Sequence, residues 1–213
     1  MSQARAQATT IHVRPNESGF GAEITGLDIS KPLPPETLAE VKDAWARHAV
    51  VWFPDQPLTH DQLEAFTLQI GPFGHDPFIA PMEDHPHILE LRREPDEKAR
   101  NFGAGWHSDW SFQEEPPAAT LLHSKVIPPV GGDTLYADCT RAYDALSDEM
   151  KKVLSGLTAV HSAALPYGPN GVFAQETEKR TMKILVSKDA EKTWPHPLVR
   201  THPVTGRKAL FVS

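Results

Sequence analysis

Cysteine is almost missing from this chain: Cys139 is the only one among 213 residues. That excludes an internal disulfide framework and fits a reducing compartment. Positive charge is also in short supply, with 21 Lys and Arg against 28 Asp and Glu and a formal net charge of −7. The sequence pI is near 5.9. Such a chain has no basic footprint for nucleic acid; Arg92-Arg93 and Lys151-Lys152 are isolated pairs that read as solvated surface. No apolar run approaches the length of a membrane span. The first ten residues are polar and rich in Ala and Gln, without the apolar segment of a secretory signal. The expectation is a cytoplasmic protein with neither membrane nor nucleic acid among its partners.

Proline, by contrast, is plentiful. Twenty of them punctuate the chain into short strands and loops, which favours a β-rich fold over a helical bundle. The length suits a single domain, 1–213, able to bury a real core.

Residues 11–14 and 21–25 read as short strands. Pro34-Pro35 opens a helix in which Leu38, Val41 and Trp45 share one face. Residues 49–53 form an apolar strand. Thr59 and Gln62 have the spacing of a capping box and start a second helix with Leu63, Phe66 and Ile70 as its buried stripe. Further strands are expected at 87–91, 118–126, 134–137 and 157–162, and helices at about 141–146 and 148–154. Residues 92–103 are charged and irregular, and 165–178 reads as an exposed loop or lid. A hairpin is expected from 196–201 and 208–212 around Pro203 and Gly206. This pattern fits a mainly β fold with flanking helices, a double-stranded β-helix or jelly roll.

The chemistry-bearing segment is Trp106-His107-Ser108-Asp109, with Gly131-Gly132-Asp133-Thr134 downstream. In an extended segment His107 and Asp109 point to one side, because side chains alternate. An imidazole and a carboxylate on one face supply two of the three ligands of a facial His/carboxylate/His site, which leaves positions open on Fe(II). A mixed N/O set offers no soft sulfur to draw copper or zinc. With 11 His in the chain, the tripeptide is weak alone, and a surface His beside a turn Asp is the bland alternative. His75, His85 and His87 match no zinc spacing.

The context strengthens it. Phe102 to Phe112, Pro116-Pro117, Pro128-Pro129-Val130-Gly131-Gly132-Asp133-Thr134-Leu135-Tyr136, and His196-Pro197-Leu198-Val199-Arg200-Thr201-His202-Pro203 through Gly206-Arg207-Lys208-Ala209-Leu210-Phe211 occur in order. Together they resemble the taurine dioxygenase (TauD/TfdA) family of Fe(II)- and 2-oxoglutarate-dependent oxygenases. The resemblance covers nearly the whole chain.

It implies Fe(II) as metal, 2-oxoglutarate as co-substrate, and O₂ with a small organic molecule as partners. The 2-oxoglutarate would be decarboxylated to succinate as the substrate is hydroxylated. It makes His107 and Asp109 metal ligands and gives Thr134 the distal carboxylate of 2-oxoglutarate. Trp110, Tyr167 and Phe211 match pocket-lining positions, with ordinary core aromatics as the alternative. His196 and His202 read as structural. The taurine-specific enzymes carry a His, a Tyr and an Asn where this chain has Asp76, Ile79 and Gly103, so taurine is not the expected substrate.

The family's second histidine ligand and the arginine for 2-oxoglutarate lie beyond the Gly-Arg-Lys-Ala-Leu-Phe motif, whereas this sequence stops at Ser213. The expectation is therefore an incomplete β-helix, the larger N-terminal part of an oxygenase. An unfilled sheet edge there favours pairing with another chain, including a homo-oligomer. The rival reading is an inactive, truncated β-helix protein that lacks the distal ligand; a zinc hydrolase is weaker still, for want of a third ligand or general base.

Overall fold

Both long helices begin where their sequences dictate. In the computed structural model, which describes residues 10–212, helix α1 (Pro35–His48) has Pro at its first turn, where a missing N–H costs nothing. Helix α2 (His60–Ile70) has the full capping box: Thr59 accepts from the Gln62 backbone and the Gln62 side chain returns the bond. The expectation about the chain's start falls outside the described residues.

Contacts group these residues into two units. The first holds residues 10–73, 121–138 and 203–206. In it β1 (His12–Pro15) runs antiparallel to β2 (Ala22–Thr25), which pairs in parallel with β3 (Val51–Trp52). Ile24, Leu27, Val41 and Phe66 are among the residues buried between this sheet and the two helices, and each such burial is worth about 1.5–3 kcal/mol. Phe53 meets Phe66 edge-on at 5.6 Å. Gly26 has φ of +84°, and a Cβ there would lie 2.8 Å from the Thr10 carbonyl oxygen, so glycine is required. Gln56 secures the following segment, accepting from Ile29 N–H and donating to the Leu27 carbonyl.

The second unit holds residues 74–120, 139–202 and 207–212. Its order is α3 (Cys139–Asp144), α4 (Asp148–Leu154), β4 (Thr158–Ser162), the short α5 (Ala164–Tyr167), a 3₁₀ turn (Lys188–Glu191), β5 (Thr193–Pro197), β6 (Val199–Thr201) and β7 (Lys208–Leu210). The β6–β7 hairpin was expected; the antiparallel β4–β5 pair, with Ala159 opposite His196, gives β5 a partner that periodicity did not reveal. The core is aromatic. Phe78 stacks on Tyr167 with centroids 5.0 Å apart, and Phe112 and Phe173 close around them. A clasp joins two loops beside it: Arg180 bonds Glu176 and the Arg100 carbonyl, while Glu97 accepts from Thr181 N–H.

Three corrections follow. Residues 87–91, 118–126 and 134–137 are not strands, and no ladder among the described residues includes them. A strand exists only through cross-strand hydrogen bonds, and side-chain pattern alone cannot supply a partner. The motif around His107 is likewise irregular and enters a turn at Asp109. The 165–178 stretch is not simply an exposed lid, since Tyr167 and Gly171 are buried and Glu176 is held by Arg180. No helix among the described residues is long and apolar enough to cross a membrane.

Two histidines removed from solvent, His161 and the half-buried His123, should make the fold acid-sensitive. In the second unit His161 is 2% exposed, stacks on Phe211 at 4.9 Å and meets His196 edge-on. Burial holds it below its ordinary value of 6.5, and nearby His196 and Arg200 add to the shift. Burial does the same for His123 in the first unit, with Lys125 beside it. Both rings stay neutral in the fold while their unfolded counterparts protonate below about 6.5, so stability is lost as pH falls from there and the loss levels off below the folded values. Glu176 and Glu97 are depressed by hydrogen bonds from Arg180 and Thr181. Their contribution is present above about 4.5 and declines as pH falls further. Thermal melts between pH 8 and 4 should therefore show Tm falling in two stages. His161→Phe, which keeps the ring stack, should flatten the upper one; an unchanged profile would remove His161 as its cause.

Candidate metal centre

The pair singled out in the sequence is brought together, within the second unit. His107 Nε2 lies 3.2 Å from Asp109 Oδ1, with both side chains about half exposed. The alternation expected of a strand is not what aligns them, because the segment turns at Asp109 and Trp110 takes φ of +48°. Three hydrogen bonds hold the turn. His107 Nδ1 lies 2.7 Å from the Gly105 carbonyl, which can only accept, so Nδ1 carries the proton. Thr120 Oγ1 donates to Asp109 Oδ2 at 2.6 Å. The Trp110 indole donates to Asp76 Oδ2 at 2.9 Å.

The tautomer has a chemical consequence. With Nδ1–H committed, Nε2 is the nitrogen left to hold a metal ion, and it lies directly opposite a carboxylate oxygen. A nitrogen and a carboxylate oxygen facing each other at that distance are bridged by a proton or by a metal cation. An imidazole with its far N–H on a carbonyl, beside an anchored carboxylate, is the usual arrangement of metal-binding His and Asp side chains. The donor set fits Fe(II) or Mn(II) better than a soft metal. Among the described residues, no third His, Cys, Asp or Glu joins this pair into a cluster of three.

Asp76 is no open substrate contact. Its Oδ1 accepts from Phe78 N–H at 2.7 Å and Ile79 N–H at 2.9 Å, and its Oδ2 takes the Trp110 indole. Ile79 is buried, and Gly103 has φ of +68° in a turn. Tyr167 lies in the aromatic core, 8% exposed. Burial, with the charges of Asp76 and Asp109 nearby, pushes its phenol up, so it stays neutral. Phe211 is half-buried against His161 and under the Arg200 guanidinium. His196 is buried and donates from Nε2 to the Gln113 carbonyl. Thr134 lies in the first unit, exposed in an irregular stretch. The residues missed from sequence are Thr120 and Asp76 in their supporting roles; a threonine eleven positions past Asp109 carries no local signal.

The sequence profile described as "Taurine catabolism dioxygenase TauD, TfdA family" matches residues 12–213. The chain belongs to this family. Among curated TauD/TfdA relatives, it is 32% identical over 206 residues to the alpha-ketoglutarate-dependent sulfate ester dioxygenase of Pseudomonas putida, covering 95% of this chain and 66% of that protein. It is 31% identical over 215 residues to the alpha-ketoglutarate-dependent 2,4-dichlorophenoxyacetate dioxygenase of Cupriavidus pinatubonensis, covering 91% and 70%. The crystal structure of AAD-2 in complex with Mn(II) and N-oxalylglycine superposes with a TM-score of 0.70 at 31% identity, covering 96% of this chain and 70% of that one. Across such curated relatives the chain spans from 47% to 71% of their length.

Proposed function

We propose that the protein is an Fe(II)- and 2-oxoglutarate-dependent dioxygenase that hydroxylates a small organic substrate. The observation that carries this is the His107–Asp109 pair, with Nε2 and Oδ1 facing each other at 3.2 Å and Nδ1 committed to the Gly105 carbonyl. Family membership supports it, and so do relatives named for sulfate esters and phenoxyacetates. N-oxalylglycine has the skeleton of 2-oxoglutarate with NH in place of CH₂, so the AAD-2 complex supports that co-substrate.

When bound, Fe(II) couples the decarboxylation of 2-oxoglutarate by O₂, giving succinate and CO₂, to hydroxylation of a C–H bond. The chain's own residues provide binding and orientation. His107 and Asp109 hold the ion. Trp110, Tyr167 and Phe211 line the substrate space, with Tyr167 as a neutral wall. The fold class is that of a double-stranded β-helix dioxygenase domain, acting in the cytoplasm on small molecules and not on nucleic acid or membrane.

A second reading, an inactive β-helix chain, is favoured by one observation: no third ligand joins the pair among the described residues. Two assays separate them. Mn(II) titration followed by the signal of the free ion should reveal a weak site in the 213-residue chain, strengthened by 2-oxoglutarate. Absence of any such site would overturn the dioxygenase reading. Succinate release coupled to a substrate is the second assay, and the inactive reading expects none. If it occurs, another residue serves as third ligand, and His196 and His202 are the first to replace.

A further inference from the structure

We infer that Thr120 is a positioning residue for the metal centre, holding one oxygen of Asp109 so that the other is left for the ion. This rests on the metal reading of His107 and Asp109. Thr120 Oγ1 donates to Asp109 Oδ2 at 2.6 Å, at the short end expected for a hydroxyl on a carboxylate. The second oxygen, Oδ1, faces His107 Nε2. Each oxygen therefore has its own partner. Without Thr120 the carboxylate would turn freely in the broad torsional well of an Asp side chain, and binding an ion would have to stop that motion.

The donor is itself well fixed. Threonine is stiff at χ1 because it is β-branched. The chain reaches it through Pro116-Pro117, whose rings fix φ, and Pro117 sits so close to Gly74 that a Cβ there would come within 3.3 Å of its ring. The Gly105 carbonyl plays the matching part for His107, but as a backbone group it cannot be deleted by substitution. Thr120 is exposed, and hydrogen bonds at such a surface add little to folding. A free hydroxyl–carboxylate bond of this kind would be spent on affinity for the ion, since outer partners of ligands typically account for a 10- to 100-fold effect.

The test compares Thr120→Val, which keeps the shape without the hydroxyl, with Thr120→Ser, which restores the hydroxyl on a looser side chain. Mn(II) binding to the full chain is read from the free-ion signal, with thermal melts alongside. Thr120→Val should bind Mn(II) about 10- to 100-fold more weakly, and Thr120→Ser should recover most of the loss. Both should melt within a few degrees of the parent. If Thr120→Val binds as tightly as the parent while His107→Ala is weakened, the positioning role is wrong and the metal reading stands. Should His107→Ala itself bind Mn(II) like the parent, the metal reading fails and this inference falls with it.

Discussion

Replacement of His107 by alanine is expected to lower Mn(II) affinity by at least about 100-fold, because loss of supporting partners alone costs 10- to 100-fold and a direct ligand contributes more. His107 Nε2 lies 3.2 Å from Asp109 Oδ1, and removing the imidazole leaves a single half-exposed carboxylate facing water. Asp109→Ala should be comparably damaging. Asp109→Asn should be less so in shape but similar in affinity, since the amide carries no charge to offset that of the ion. Neither side chain is buried, so the folded state should survive all three changes, and circular dichroism with a thermal melt can confirm it. A variant that folds and still binds Mn(II) like the parent would show that the pair is only a surface His beside a turn Asp.

That pair was legible in the sequence, yet for a reason the structure revises. Alternation along a strand put His107 and Asp109 on one side, whereas the observed alignment comes from a turn at Asp109 in which Trp110 takes a left-handed φ of +48°. Spacing alone could not distinguish these, because both geometries bring residues two apart together. The local signals fared better where they are self-contained. Pro35 at the first turn of α1 and the Thr59/Gln62 box of α2 depend only on neighbours within a few residues. The expected strands at 118–126 and 134–137 depend instead on a ladder formed with a distant strand, and no sheet among the described residues includes them. Leu122, Val126 and Leu135 in these stretches are exposed. Supporting contacts such as Thr120 to Asp109, eleven residues apart, leave no periodic trace at all.

Asp76→Ala is expected to be the most destructive single change to the candidate site's surroundings, destabilising the protein by about 2–4 kcal/mol; hydrogen bonds to a charged group are worth about 1.5–3 kcal/mol each, discounted here because the carboxylate is only partly buried. The resemblance sets Asp76 where taurine-specific enzymes have a polar side chain for the substrate, and its charge then looks like a barrier to sulfonates. The structure gives it other work. Its two oxygens accept from Phe78 N–H, Ile79 N–H and the Trp110 indole. A non-glycine residue with positive φ, such as Trp110, persists only when its surroundings over-determine it, and the indole bond to Asp76 is part of that constraint. Since Asp109 directly precedes Trp110, releasing the indole should loosen the His107–Asp109 pair too. Asp76→Asn tests the division of labour: it keeps an acceptor for the two backbone donors but loses the charge that holds the indole. It should therefore fold more stably than Asp76→Ala while shifting the Trp fluorescence and weakening Mn(II). Should Asp76→Ala keep the parent's Tm and tryptophan signal and begin to bind taurine, the carboxylate faces the substrate after all, and its charge, not its hydrogen bonds, is what excludes a sulfonate.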